Sequence, residues 1–309
     1  MEKKLTIIIP VYNRESTIEQ TIESIENQTI KDFEILTVDD GSSDNSKNVI
    51  KKLMEKYRNI RYIYQENAGV SSARNTGIKN AKTKYISFLD SDDFYEEKFV
   101  EKMLNKIEEN NSDIVCCGYY KKNNNDKRKV RTLFRKKRVL LNYILGNNKF
   151  HTSSFVFKRE FIINNNIYFD SELSWGEDIY FFVKAMSKTE KINLVNDYLS
   201  TYITGEDENA LSAFTLKKIY DDKKFVNKII GDPEIRLKKK EKEALINNRY
   251  VSLLVYRLLE ALSKGYEKSI VENYYNEFYS DINNLSFKFG IRSLKIFYYT
   301  KKLEKLLKL

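Results

Sequence analysis

Two hydrophobic periods alternate along the N-terminal third of the chain. Short apolar runs stand at Leu5-Thr6-Ile7-Ile8-Ile9-Pro10, at Phe33 to Val38, at Ile60 to Tyr64 and at Tyr85 to Leu89. Each has the length of a buried strand. Between them apolar residues recur at helical spacing: Ile18, Ile22 and Ile25; then Val49, Ile50, Leu53, Met54 and Tyr57; then the stretch Val70 to Ala81. Ser16 followed by Glu19 has the spacing of a capping box. Strands alternating with helices predict right-handed crossovers and a mostly parallel central sheet flanked by helices.

Polar clusters fall where the strands end. Tyr12-Asn13 follow the first strand, Asp39-Asp40 the second and Asp90-Ser91-Asp92-Asp93 the fourth. Ligands of such sheets bind beyond the carboxyl ends of the strands, so clusters aligned on that edge form the pattern of a site.

Further on, Phe99, Met103, Leu104 and Ile107 predict a helix, Asp113 to Tyr120 a strand, and the Asn- and Lys-rich Lys121 to Lys129 a loop. Asp178 opens a helical pattern with Ile179, Phe182, Val183 and Met186. From about Thr215 onward the patterns are mainly helical, as at Leu253, Leu254, Leu258 and Ala261. The expected organisation is an α/β domain over 1–215 and a helical C-terminal region over 216–309. No internal repeat is visible.

Composition narrows the class. The 309 residues hold only 10 Gly and 2 Pro, which argues against a loop-rich or repetitive all-β chain. The two cysteines, Cys116 and Cys117, are adjacent, and there is no spaced framework. They read as reduced thiols in a cytosolic compartment. The single histidine, His151, reads as an ordinary half-exposed side chain, and neither residue type supports a zinc site. Leu5 to Val11 is too short for a signal core. No stretch approaches the roughly 20 apolar residues of a membrane span. A soluble cytoplasmic protein, or one peripheral to the inner face of the membrane, is expected.

The net charge of +10 is uneven. Lys121 to Arg138 carries ten basic residues against Asp126 alone, and Ser286 to Leu309 seven against Glu304, so the remainder is slightly acidic. The second stretch mixes its cations with Phe287, Ile291, Leu294, Ile296, Phe297, Leu303 and Leu306. That composition suits an amphipathic helix on an anionic membrane surface over 286–309. It also suits a helix docked on the body of the protein with a solvated basic face.

The strand-end residues admit specific chemistry. Oxygen ligands such as Asp90 and Asp92 suit Mg²⁺ or Mn²⁺, which keep waters and share substrate phosphates. The same turn equally suits a helix cap, with Asp92 or Asp93 capping the helix that includes Phe99. A carboxylate of Asp39 or Asp40 can accept a hydrogen bond from a base, while Asp44 is expected to cap the next helix. In Asn67 to Gly77, small residues precede a helix whose N-terminus favours anions. Arg74 offers a donor fork suited to a nucleotide, or is a surface arginine.

In this order and spacing, Pro10-Val11-Tyr12-Asn13, Asp39-Asp40-Gly41-Ser42, Gly69 to Gly77 and Phe88-Leu89-Asp90-Ser91-Asp92-Asp93 closely resemble glycosyltransferase family 2. The resemblance is specific through about residue 110, continues thinly to Trp175-Gly176-Glu177-Asp178, and does not cover the C-terminal region. It implies the Rossmann-like GT-A fold, with a nucleotide-binding half over 1–110 and an acceptor half over 111–215. It also implies an inverting transfer of a hexose or N-acetylhexosamine. The sugar would pass from a UDP-sugar to a hydroxyl of a glycan or lipid-linked acceptor in bacterial surface polysaccharide synthesis.

By the same resemblance, Tyr12 and the backbone around Pro10 and Val11 hold the nucleoside, and Asp40 meets the uracil edge with Arg74 nearby. Asp90 and Ser91 meet the ribose or donor sugar. Asp92 ligates Mn²⁺ or Mg²⁺ under the diphosphate, and Asp178 is the general base, with Trp175 and Glu177 on the acceptor side. Asp93 is left as a helix cap. One departure stands out: where many relatives carry a basic residue beside a tyrosine, this chain has Tyr202-Ile203-Thr204-Gly205, then Ser212, with no Arg or His.

Two other classes stay open. A noncatalytic nucleotide-sugar-binding subunit would keep Asp40 and Asp92 and dispense with Asp178. A nucleic-acid binder would use the basic stretches, but acidic clusters at the ligand edge would repel its phosphates.

Overall fold

The computed structural model describes residues 3–123, 126–204 and 214–309. Gly205 and Ser212 lie outside the described residues. In chain order the first elements are β1 (Leu5–Val11), α1 (Ile18–Glu26), β2 (Phe33–Asp40), α2 (Ser46–Lys56), β3 (Ile60–Gln65), α3 (Val70–Asn80) and β4 (Tyr85–Phe88). Then come β5 (Phe94–Tyr95), α4 (Phe99–Glu109), β6 (Ile114–Lys122), β7 (Lys127–Lys129), α5 (Val139–Ile144), β8 (Phe155–Lys158) and α6 (Arg159–Asn164). The rest is α7 (Glu177–Ser187), β9 (Ile192–Ile203), α8 (Lys218–Gly231), α9 (Lys239–Ala244), α10 (Val251–Ser263), α11 (Lys268–Glu277), α12 (Tyr279–Asn283) and α13 (Ile291–Leu307). A π-helical stretch, Leu245–Tyr250, joins α9 to α10.

The contacts divide into two compact units, 1–137 with 148–171 and 188–206, and 138–147 with 172–187 and 207–309. A single cut near 215 does not reproduce this division, because α5 and α7 belong with the C-terminal helices.

The first unit holds one nine-stranded sheet in the order β3-β2-β1-β4-β8-β6-β9-β5, with β7 on β6. The four N-terminal strands pair in parallel, as the alternation predicts. Beyond β4 the sheet is mixed: β8 runs antiparallel to β4 and β6, and β9 parallel to β6. Val11 pairs with Asp39, and Ile8 with Phe88, so the chain leaves β1, β2 and β4 at one edge. Ile18, Ile22 and Ile25 of α1 join Phe99 and Met103 of α4 in the core against one sheet face. On α3, Gly77 allows a close approach to the sheet: a Cβ there would lie 2.2 Å from Cγ2 of Ile8.

Several local readings are corrected. Ser16 and Glu19 are exposed and form no capping box, because the helix begins at Ile18. Thr17, just before it, turns its hydroxyl to the carbonyl of Ser91 at 2.9 Å. The stretch read as a loop over Lys121 to Lys129 contains β7, whose three side chains are all exposed cations. Cys116 and Cys117 are buried free thiols in β6.

The second unit is helical. Phe225 of α8, Leu254 and Leu258 of α10, Val271 of α11 and Leu303 of α13 are among its fully or nearly fully buried side chains. No described helix is long and apolar enough to cross a membrane.

Candidate active site

The loops after β1 and β2 are laced together. Asn13 adopts a left-handed conformation, φ 52°, which Asn tolerates better than most residues. Its side-chain oxygen accepts the N–H of Ser43 at 2.9 Å, and its own N–H donates to Ser42 Oγ at 3.0 Å. This holds Tyr12 at the strand edge with its ring 49% exposed, while Pro10 and Val11 stay buried in β1. Asp44 accepts the N–H of Ser46, the first residue of α2, at 3.0 Å, but it is not the cap expected of it: the capping position is Asn45, whose side chain makes no capping bond.

Asp39 and Asp40 are both buried and do different things. Asp39 accepts the Tyr62 hydroxyl at 2.6 Å and the Ser42 N–H at 2.9 Å, a turn-holding role. Asp40 accepts Gln65 Nε2 at 2.7 Å and the N–H groups of Ala68 and Gly69 at 3.0 and 2.8 Å. It thereby sets the loop that opens α3. A carboxylate offers about four acceptor positions, so one stays available to a base. Gly41, at φ 78°, is required here, because a Cβ would meet the backbone nitrogen of Asn67 at 2.8 Å.

From α3, Arg74 reaches Asp90. The guanidinium is buried, donates to Asp90 Oδ1 at 2.8 Å and lies over the Phe169 ring at 5.0 Å. Asn75 exchanges two 2.8 Å hydrogen bonds with the backbone of Phe169 and so holds that ring in place. Burial would raise the carboxyl of Asp90, but the charge of Arg74, with help from Arg14, outweighs it and holds the group below the usual carboxylate range.

The rest of the acidic turn splits by environment. Asp92 is the open member, its side chain 40% exposed and 3.7 Å from Arg14. Burial and the nearby Asp90 raise its carboxyl. Asp93 is fully buried and does not cap a helix: β5 starts at the next residue and α4 only at Phe99. Its Oδ1 accepts the N–H of Ile203 at 2.9 Å, which ties the end of β9 to the cluster. Its Oδ2 accepts no hydrogen bond among the described residues. Burial, then Asp90 and Asp92, push the Asp93 carboxyl well above its ordinary range.

His151 belongs to this cluster, contrary to the reading of an ordinary histidine. Its Nδ1 lies 3.0 Å from Ser153 Oγ and 3.4 Å from Asp93 Oδ2. Burial lowers it to about 4, so the ring is neutral at neutral pH and able to ligate a metal. It stacks on Tyr202 with ring centroids 4.4 Å apart. An imidazole from a distant segment thus stands beside the tyrosine that lacks a basic neighbour in sequence. Ligand atoms of Asp90, Asp93 and His151 all lie within 4.8 Å of one another. Asp92, expected as the metal ligand, is not among these three. A divalent cation fits such a set chemically: two carboxylates, one with an orphaned buried oxygen, and a neutral imidazole. Neither His151 nor Phe169 was legible as a site residue, since each arrives from a segment with no motif of its own.

The remaining candidates sit in the helical unit. Gly176 has φ 77°, and a Cβ there would meet Phe225 at 2.4 Å, so α7 starts tightly against α8. Glu177 and Asp178 occupy the first turn of α7, and Asp178 Oδ1 accepts the N–H of Ile179 at 2.6 Å. Acidic groups there also suit the helix dipole. Trp175 donates its indole N–H to Asp222 at 2.9 Å. Its ring carries the Lys218 ammonium at 4.3 Å. The fully buried Asp222 also takes the guanidinium of Arg257 at 2.7 Å.

Comparison with known proteins bears on the family and the fold. Glycosyl transferase family 2 matches residues 6–169. The chain is 33% identical over 227 residues to EpsJ of Bacillus subtilis, described as an uncharacterized glycosyltransferase; the match covers 71% of this chain and 65% of EpsJ, so the chain spans less than two thirds of that relative. It is 30% identical to the poly(ribitol-phosphate) beta-N-acetylglucosaminyltransferase TarP of Staphylococcus aureus, over 70% of this chain and 67% of TarP. Among solved structures, residues 1–349 of S. aureus TarS in complex with UDP-GlcNAc superpose with a TM-score of 0.67 at 22% identity, covering 91% of this chain and 89% of that one. The likeness to TarS establishes the GT-A fold, and the family match over more than half the sequence establishes the rest: the chain belongs to glycosyl transferase family 2.

Proposed function

We propose that the protein transfers a hexose or N-acetylhexosamine from a UDP-sugar to a hydroxyl of a surface-polysaccharide acceptor, with inversion and with a divalent cation. The observation that carries this reading is the convergence of Arg74, Asp90, Asp92, Asp93 and His151 where β4 ends. A UDP-sugar bound to TarS and an acceptor of ribitol phosphate in the name of TarP support the donor and acceptor classes.

In this reading Tyr12, with the backbone at Pro10 and Val11, supports the base, and Asp40 uses its remaining acceptor position on the uracil edge. Asp90, oriented by Arg74, and Ser91 take the ribose or donor sugar. Asp92 is the ligand we assign to Mn²⁺ or Mg²⁺, because it is the carboxylate open to solvent. Asp90, Asp93 and His151 contribute negative charge and a neutral imidazole beside it. The bound cation supplies compensation for charge growing on the leaving diphosphate. Asp178 acts as the general base that takes the acceptor proton as the hydroxyl attacks the anomeric carbon. Trp175 and Glu177 flank the acceptor.

The test is UDP release from UDP-glucose, UDP-galactose and UDP-N-acetylglucosamine, with Mn²⁺ and with chelator. One donor should turn over only with metal, and Asp178→Asn should lower turnover about 10²- to 10⁴-fold. No turnover of any donor, together with an unaltered Asp178→Asn profile, would sink the catalytic reading. Donor binding without turnover would favour a noncatalytic sugar-nucleotide-binding subunit.

A further inference from the structure

The helix α13 has two apolar faces, and only one is used by the fold. Ser293, Ile296, Thr300, Leu303 and Leu307 recur every three or four residues and are buried. Asn248 fixes this face through a 3.1 Å hydrogen bond to Ser293. On the opposite side, also at helical spacing, Ile291, Leu294 and Tyr298 are 85, 58 and 65% exposed. Phe287 and Phe297 extend the patch, with ring centroids 5.5 Å apart and both rings exposed. Large apolar side chains clustered in this way on a soluble surface mark an interaction site.

The lysines say what the patch meets. Lys295 flanks the apolar residues, and Lys301, Lys302, Lys305 and Lys308 follow along the exposed side of the helix. Lys295, Lys302, Lys305 and Lys308 form no ion pair among the described residues. A symmetric contact between two copies would bring like-charged lysines together, and a nucleic acid would leave the apolar centre unserved. A bilayer with anionic headgroups answers both: apolar and aromatic side chains settle at the headgroup boundary while lysines meet phosphate.

We propose that the outer face of α13 docks the protein on an anionic membrane surface. The proposal does not rest on the reading of the catalytic site.

Flotation of the full chain with lipid vesicles tests it. The wild-type protein should float with vesicles rich in phosphatidylglycerol and stay behind with pure phosphatidylcholine. The double substitution Ile291→Asp, Leu294→Asp should lower partitioning by about ten-fold or more, since apolar burial is lost. Lys302→Glu with Lys305→Glu should lower it by at least about five-fold per residue, the worth of one basic group at such a surface. Because these side chains are exposed, both variants should keep the wild-type circular dichroism and melting temperature. The proposal is overturned if the wild-type protein ignores anionic vesicles or the variants float equally well. A dimer in sedimentation that the apolar variant dissociates, with no vesicle binding, would overturn it as well.

Discussion

Asp222 is fully buried and has two partners, the indole of Trp175 and the guanidinium of Arg257. Burial raises its carboxyl even with Arg257 beside it, so the pair is held by geometry that leaves little room for water. Removing one member strands the other. Asp222→Ala should therefore destabilise the protein by about 3–5 kcal/mol, read as a lower urea midpoint. A loss below 1 kcal/mol would show that the Arg257 charge finds solvent instead. Single residues of this kind were poorly legible in sequence. Trp175 could be singled out as a sugar platform or a packing residue, but its partners lie about fifty and eighty positions away in patterns that read only as helix.

At the scale of elements, α3 shows how a motif serves both fold and site. The loop that opens it meets the Asp40 carboxylate through Ala68 and Gly69, its middle sends Arg74 to Asp90, and Gly77 seats it against Ile8 of β1. Gly77→Ala would force a methyl to within 2.2 Å of Ile8. A destabilisation of about 1–3 kcal/mol is expected from such overpacking, seen as a lower melting temperature. Because α3 carries Arg74, weaker nucleotide binding should accompany it. An unchanged melting temperature would mean that α3 shifts freely. The parallel strands β1 to β4 were legible because each is a short, mainly apolar run bounded by turn residues. The strand β9, reading Ile-Asn-Leu-Val-Asn-Asp-Tyr-Leu-Ser-Thr-Tyr-Ile, was not, because polar residues interrupt it and its pairing with β6 shifts register. Neither was β7, whose three cations carry no alternation.

Over the whole molecule, the strand ends that make up the candidate site were more legible in sequence than the contacts that join them. The strand ends at Tyr12, Asp40 and Asp90 are local features. The company that the acidic turn and Arg74 keep is not: His151 comes from the segment before β8, Phe169, under Arg74, from the one after α6, and the Ile203 N–H on Asp93 from the end of β9. Burial, with the charge of Asp90 beside them, raises the carboxyls of Asp92 and Asp93, and a cation there would relieve that mutual repulsion, which is the physical case for one. The most direct measurement is the melting temperature of the full chain with UDP, with and without Mn²⁺, for the wild type and for Asp92→Asn. At about 100 times its Kd a ligand stabilises by about 2.7 kcal/mol, a shift of several degrees. The account predicts that shift only when UDP and Mn²⁺ are present together, and its loss in Asp92→Asn. A melting temperature that UDP and Mn²⁺ leave unmoved, or a shift that Asp92→Asn retains in full, would contradict it.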